Sequence, residues 1–288
     1  MATIFPLADW LREVAGDDAE VHCLVDGSQN PHHFEPTVKD AAKVTKAKAL
    51  FIVGLGLDPW ATKLAGNSGG GAKIFTTGEW ALPQKMGAVQ ELEIHGKDEK
   101  DEDDEHHHHH GDLDPHYWLD PARAITVVKR MAEELGALDP EHRDAYAKRA
   151  AAYVAKLDEL NREIEKLAAE IPPGAQLVTF HDAYGYLFGR LHIKIAAVVQ
   201  VSPGVEPSAK DVAEAVRLMK AIGQRVVFRE PGVNDAALRA LAQDLGARID
   251  LLDPAETAAS DAGKTYIERL RHNLQTLAGA AKKGEAAP

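Results

Sequence analysis

Pro140 to Ile171 reads PEHRDAYAKRAAAYVAKLDELNREIEKLAAEI, preceded by Asp139 and followed by Pro172-Pro173-Gly174. Tyr146, Ala150, Tyr153, Leu157, Leu160, Ile164 and Leu167 recur at steps of three and four, which places them on one helical face. Asp139-Pro140-Glu141 is a good helix start, with proline inside the first turn, and the double proline with glycine ends the run. At ~1.5 Å per residue the predicted helix is about 48 Å long. Such a length suits a rod joining two lobes.

Outward from this rod, strand-like and helix-like stretches alternate on both sides. Towards the N-terminus, strands are predicted at Thr3–Phe5, Glu20–Val25, Ala49–Val53 and Lys73–Thr76. Helices are predicted at Leu7–Val14, Pro36–Lys48, from Asp58, and at Pro121–Leu135. Towards the C-terminus, strands are predicted at Gln176–Phe180, Ile193–Gln200, Arg225–Phe228 and Arg248–Leu252. The helices between and after them start near Ala183 and cover Ser208–Ile222, Asp235–Leu245 and Lys264–Leu277, with a frayed tail from Ala280. This alternation defines an α/β protein with two lobes, each a mostly parallel sheet flanked by helices, joined by one long rigid helix. The boundaries are 1–139, 140–172 and 173–288.

The 45% apolar fraction is ordinary for a folded chain, and the net charge of -12 argues against nucleic-acid binding. Acidity is compatible with a cationic ligand. The one cysteine, Cys23, has no intrachain partner and reads as a small buried hydrophobe. No run of 18 apolar residues is present, so no membrane span is expected. No secretory leader is visible either; processing would account for one having been removed. Gly54-Leu55-Gly56 lacks the third glycine of a nucleotide loop and runs into Asp58-Pro59, so a phosphate site is not expected there.

In parallel α/β sheets, ligands bind just beyond the carboxyl ends of the strands. Those positions here carry His32 and His33, His181, Glu230 and Asp253, and His116 stands in a similar place before a proline-led helix. Three neutral imidazoles and one carboxylate suit four-coordinate Zn²⁺. The predicted metal set is His32, His116, His181 and Asp253. His33 would point elsewhere, and Glu230 is the alternative carboxylate. His22, His142, His192 and His272 lie within helix or strand patterns and read as structural or exposed. Upstream of His116, residues 87–111 form a low-complexity insertion dense in charge, expected to be disordered. Its run His106, His107, His108, His109 and His110 would offer weak accessory metal sites without fixed geometry.

Several stretches together resemble the zinc-binding solute-binding proteins of bacterial metal ABC importers, a cluster that includes manganese-binding proteins and adhesin-like lipoproteins. They are Thr3-Ile4-Phe5-Pro6-Leu7, Asn30-Pro31-His32-His33-Phe34-Glu35-Pro36, Gly54-Leu55-Gly56-Leu57-Asp58-Pro59-Trp60, Asp114-Pro115-His116-Tyr117-Trp118-Leu119-Asp120-Pro121, Phe180-His181-Asp182-Ala183-Tyr184-Gly185-Tyr186 and Leu252-Asp253-Pro254. The family's metal residues fall on His32, His116, His181 and Asp253. Asn30 replaces the usual aspartate, a residue that is not a ligand. Manganese-preferring relatives tend to carry glutamate at the third position, so His181 favours zinc. The resemblance implies a monomer exported to the periplasm, or anchored outside the membrane, that passes Zn²⁺ to an ABC permease in the membrane, with a periplasmic zinc chaperone as a candidate further partner. It implies no enzymatic activity. The rival readings are a zinc hydrolase, for which Glu35 and Glu230 are the available bases, and an adhesin stabilised by metal.

Overall fold

The computed structural model describes residues 1–27, 29–86, 113–199, 208–232 and 235–281. The predicted histidine-rich insertion, with His106 to His110, lies outside the described residues, as does most of the predicted frayed tail; Ala280 and Ala281 still belong to the last helix.

The chain begins with helix α1 (Phe5–Ala15) rather than a strand. Of the predicted Thr3–Phe5 strand, only the adjoining Ala2 makes bridges, in parallel to Cys23 and Phe51. Pro6 sets the helical φ at the second position, so the chain turns helical immediately after Ile4. The predicted Glu20–Val25 strand likewise contracts to the bridge at Cys23. Helix α2 (Val38–Lys46) starts on a full capping box between Thr37 and Asp40. Strand β1 (Ala49–Ile52) is buried along its whole length, as its unbroken apolar run requires. Helix α3 (Pro59–Asn67) and strand β2 (Lys73–Thr76) follow, and β2 lies parallel to β1 with Phe51 opposite Phe75. Helix α4 (Pro121–Leu138) then leads into the long helix α5 (Arg143–Glu170), entered through a short 3-10 turn at Pro140–His142.

The remainder comprises β3 (Gln176–Thr179), α6 (Gly185–Leu191), β4 (Lys194–Val198), α7 (Ala209–Ile222), β5 (Val226–Arg229), α8 (Asp235–Leu245), β6 (Arg248–Leu251) and α9 (Tyr266–Ala281). β3 pairs with β4 and β5 with β6, both in parallel. The mixed α/β class with small parallel sheets and one long helix is therefore as the sequence indicates.

Helix α5 buries the predicted stripe from Tyr146 to Leu167. At ~1.5 Å per residue its 28 residues span about 42 Å. The stripe belongs to one large core that also takes in α1, α4, α6 and α9. A smaller core packs α7 and α8 against the other face of the C-terminal strands. Strand β5 shows the division directly: Val226 and Phe228 enter the large core, and Val227 enters the small one, the alternation that pleating imposes. Ion pairs add to the packing, with Arg271 of α9 forking onto Glu163 of α5 at 2.7 Å.

One carboxylate in the large core faces mostly apolar surroundings. Asp9 of α1 is 9% exposed and accepts a hydrogen bond from the Tyr266 backbone N–H at 3.1 Å. Burial raises its pKa to about 6. The folded chain therefore takes up a proton more readily than the unfolded chain between the ordinary carboxylate value of 3.8 and about 6. Stability from this group falls as pH rises through that window. Asp9→Asn keeps an oxygen for Tyr266 and removes the charge. Its stability relative to the parent is expected to improve by ~2 kcal/mol between pH 4 and pH 7.5. Urea denaturation at both pH values checks this; an identical difference at the two pH values would refute it.

Candidate metal centre

Four proline-led turns share one local geometry. In each, an Asn or Asp just before proline accepts the backbone N–H two residues on, closing a small side-chain turn. Asn30 takes His32 N–H at 2.8 Å, Asp114 takes His116 N–H at 2.9 Å, Asp120 takes Ala122 N–H at 3.1 Å and Asp253 takes Ala255 N–H at 2.7 Å. Two of these turns fix a histidine backbone in place. His32 sits in a 3-10 turn, Pro31–His33, whose Pro31 carbonyl is held by Trp60 Nε1 at 2.9 Å. His116 immediately precedes another, Tyr117–Leu119, which is wholly buried.

Nε2 of His32, His116 and His181 lie 3.7, 3.2 and 3.7 Å from Oε1 of Glu256. The ring centroids of the three histidines are 5.3 to 5.9 Å apart. One nitrogen or oxygen from each of these four residues falls within 4.8 Å of the others, a group able to hold a metal ion. His116 Nε2, His181 Nε2 and Glu256 Oε1 are buried without a hydrogen-bond partner among the described residues. Leaving such atoms orphaned is costly unless something else engages them.

The carboxylate brought to the three histidines is Glu256, and Asp253 stands apart from the group. Besides Ala255 N–H, the Asp253 carboxylate accepts the Ser260 hydroxyl and lies 3.7 Å from the Arg269 guanidinium. Asn273 brackets the Asp253 backbone, accepting its N–H at 2.8 Å and donating to its carbonyl at 2.7 Å. Asp253 thus shapes the loop that carries Glu256. Ala255 within it adopts φ +57°, a left-handed conformation that turns the next side chain inward. The loop is also bound to the N-terminal half of the chain. Phe5 N–H donates to the Glu256 carbonyl at 3.2 Å, and Trp118 Nε1 to the Pro254 carbonyl at 2.7 Å.

Two histidines are backed by carboxylates. His116 Nδ1 lies 2.8 Å from Asp114 Oδ1, and His181 Nδ1 lies 3.2 Å from Glu230 Oε2. Glu230 is therefore an orienting group behind His181, and the Tyr184 hydroxyl reaches its other oxygen at 3.0 Å. Arg229, adjacent in sequence, pairs instead with Asp261 at 3.2 Å. His33 and Glu35 are exposed and stand outside the four-residue group. His22 lies at 3.1 Å from Glu20 and His142 at 2.8 Å from Asp139, while exposed His192 ends α6 and His272 lies on α9.

The electrostatics separate the histidines. Burial pushes His32 down to about 4. Burial also opposes charge on His116, but the Asp114 hydrogen bond and the negative charges of Asp114 and Glu256 outweigh it and raise the group to about 10. His181 is raised as well, with Glu230 overcoming its burial. Glu256 is held well below the usual carboxylate range: burial would raise it, but His116 and His32 prevail. The Glu256 charge favours a proton on His116, and a cation bound between the two would take the place of that proton.

A mixed α/β chain with a long internal helix, converging three imidazoles and a carboxylate from loops of both halves, has the architecture of a metal-binding protein. Residues 1–280 match the family described as "ZnuA: Zinc-uptake complex component A periplasmic", and the chain belongs to that family. Among curated relatives, it is 29% identical over 280 residues to the zinc-binding lipoprotein AdcA of Streptococcus pneumoniae, covering 96% of this chain and 54% of the relative. The chain thus spans about half the length of that protein. It is 27% identical to the high-affinity zinc uptake system protein ZnuA of Bacillus subtilis, covering 96% of this chain and 85% of the relative. Among solved structures, the Zn(II)-bound ZnuA-like domain of S. pneumoniae AdcA superposes with a TM-score of 0.78 at 26% identity, covering 98% of each chain. Among the described residues no helix is long and apolar enough to cross a membrane.

Proposed function

We propose that the chain captures Zn²⁺ outside the cytoplasm and delivers it to an ABC-type importer. The metal is held by His32, His116, His181 and Glu256. The observation that carries this reading is the convergence of His32, His116, His181 and Glu256, with His116 Nε2, His181 Nε2 and Glu256 Oε1 buried without a hydrogen-bond partner among the described residues. Three imidazoles and a carboxylate match the donor preference and four-coordination of Zn²⁺. A fourth protein group occupying the position a catalytic site keeps for water favours binding over hydrolysis. The lobes are residues 1–139 and 173–288, with 140–172 linking them. The protein acts as a monomer in the periplasm, with a membrane permease as its partner and a zinc chaperone as a candidate donor.

The experiment is zinc titration of the purified chain against a competing chelator. The parent is expected to bind one zinc tightly, and His32→Ala, His116→Ala and His181→Ala to lose that equivalent. Binding should weaken as pH falls, because the protons that zinc displaces become harder to remove. Deleting residues 98–110 should remove weak additional equivalents and leave the tight one. Tight binding that survives all three histidine substitutions in the deleted chain would place the site elsewhere.

A further inference from the structure

Beyond the four converging groups, one tyrosine ties His116 to the opposite half of the chain. Tyr186 lies on α6 and is 3% exposed. Its hydroxyl donates to the Asp114 backbone carbonyl at 2.8 Å and accepts the Gln84 backbone N–H at 3.0 Å. Gln84 and Asp114 are themselves joined, Asp114 N–H donating to the Gln84 carbonyl at 2.9 Å, beside an antiparallel bridge between Lys85 and Leu113. One phenol oxygen thus closes a three-cornered contact on two segments far from it in sequence. The ring is held from its face by the Arg123 guanidinium, 4.7 Å from the centroid. Arg123 is fixed in turn by the carbonyls of Ala81 and Leu82.

The consequence falls on Asp114, whose Oδ1 receives both the N–H and the Nδ1 of His116. Its other oxygen is pressed against α6 as well. A Cβ at Gly185 would meet Asp114 Oδ2 at 2.9 Å, so glycine there lets the carboxylate approach. The backbone carbonyl of Asp114 rests on Tyr186 and its carboxylate on Gly185, and the orientation of the His116 ring follows from both. Orienting groups behind a metal-bound histidine tune affinity about 10–100-fold.

We propose that Tyr186 is a positioning residue for His116, acting through Asp114 across the two halves of the chain, and that its hydroxyl slows zinc release. The inference rests on His116 being a zinc ligand. The test uses the full chain and Tyr186→Phe, which keeps the ring and removes only the hydroxyl. Zinc release is followed by stopped-flow trapping with excess chelator. Cobalt(II) is loaded in parallel, because its visible absorption reports ligand geometry. Tyr186→Phe is expected to release zinc about 10-fold faster and to change the cobalt spectrum. Gly185→Ala, which displaces the same carboxylate, should shift the spectrum too. Leu187→Ala, a buried neighbour without this contact, should lower the melting temperature and leave the spectrum at the parent's. Release at the parent rate, or faster release with the parent's cobalt spectrum, overturns the proposal. His116→Ala separates the two levels of inference. If it keeps tight zinc, the metal assignment itself fails; if it loses zinc while Tyr186→Phe behaves as the parent, only the role of Tyr186 fails.

Discussion

Glu256→Ala is expected to weaken zinc binding by at least about 100-fold, more than an orienting group behind a ligand contributes. Among the described residues, Glu256 offers the one carboxylate oxygen within 3.2 to 3.7 Å of all three histidine Nε2 atoms, so its loss would remove both the proposed donor and the negative charge. Asp253→Asn makes the informative comparison. Asparagine retains an oxygen for the Ala255 N–H and loses the charge facing Arg269 and the acceptor for Ser260. It should lower stability by ~1–3 kcal/mol and weaken zinc only through a looser loop, by about 10-fold. Chelator competition and denaturant titration on the same samples distinguish the two effects. If Asp253→Asn abolished tight binding and Glu256→Ala did not, the roles of the two carboxylates would be reversed.

Trp118→Ala should lower folding stability by about 3–5 kcal/mol, the range for emptying a large aromatic from a core. Trp118 is fully buried, and its ring lies 5.3 Å from that of His116 in an edge-on arrangement. Its indole N–H holds the Pro254 carbonyl, and its own carbonyl accepts the Tyr266 hydroxyl. One residue therefore supports His116 from beneath and attaches the Glu256 loop. Trp118→Phe fills most of the volume but leaves the Pro254 carbonyl unpaired, an expected cost of ~1–3 kcal/mol. Equal denaturation midpoints for the two variants would show that the hydrogen bond, and not the volume, dominates.

The long helix was legible because a stripe of seven apolar residues at helical spacing has few other uses. Lys73–Thr76 and Asp235–Leu245 were legible to the residue, each bounded by glycine or polar turn residues. Thr3–Phe5 was not, because three apolar or β-branched residues fit a strand or a helix start equally well, and Pro6 decides between them. Three of the four converging side chains were readable as histidines, His32 and His181 beyond predicted strand ends and His116 before a proline-led helix. The fourth converging group, Glu256, was passed over for Asp253 for a local reason. Choosing the first carboxylate after β6 ignores what an aspartate before proline does. Asp253 repeats the role of Asn30 and Asp114, whose side chains close a turn on the backbone two residues ahead. That pattern was present in the sequence and would have moved the choice on to Glu256. The left-handed φ of Ala255, which completes the turn, has no sequence signal, since alanine rarely adopts it.

The core around α5 and the core under α7 and α8 meet beside His181: Phe180 belongs to the smaller of these two and Ala183 to the larger. The backing of His181 comes from Glu230, at the end of a strand whose Val227 faces the smaller core. His116 and the Glu256 loop are fastened to the larger one through Trp118 and Phe5, and His32 is held through Trp60 to a third, small cluster around Val44, Leu50 and Ala61. Partial opening of the smaller core would withdraw a single imidazole and leave three donors in place. The lifetime of an ion held there is then expected to follow a sub-global fluctuation rather than unfolding of the whole chain, and amide hydrogen exchange in β5 would report the same free energy.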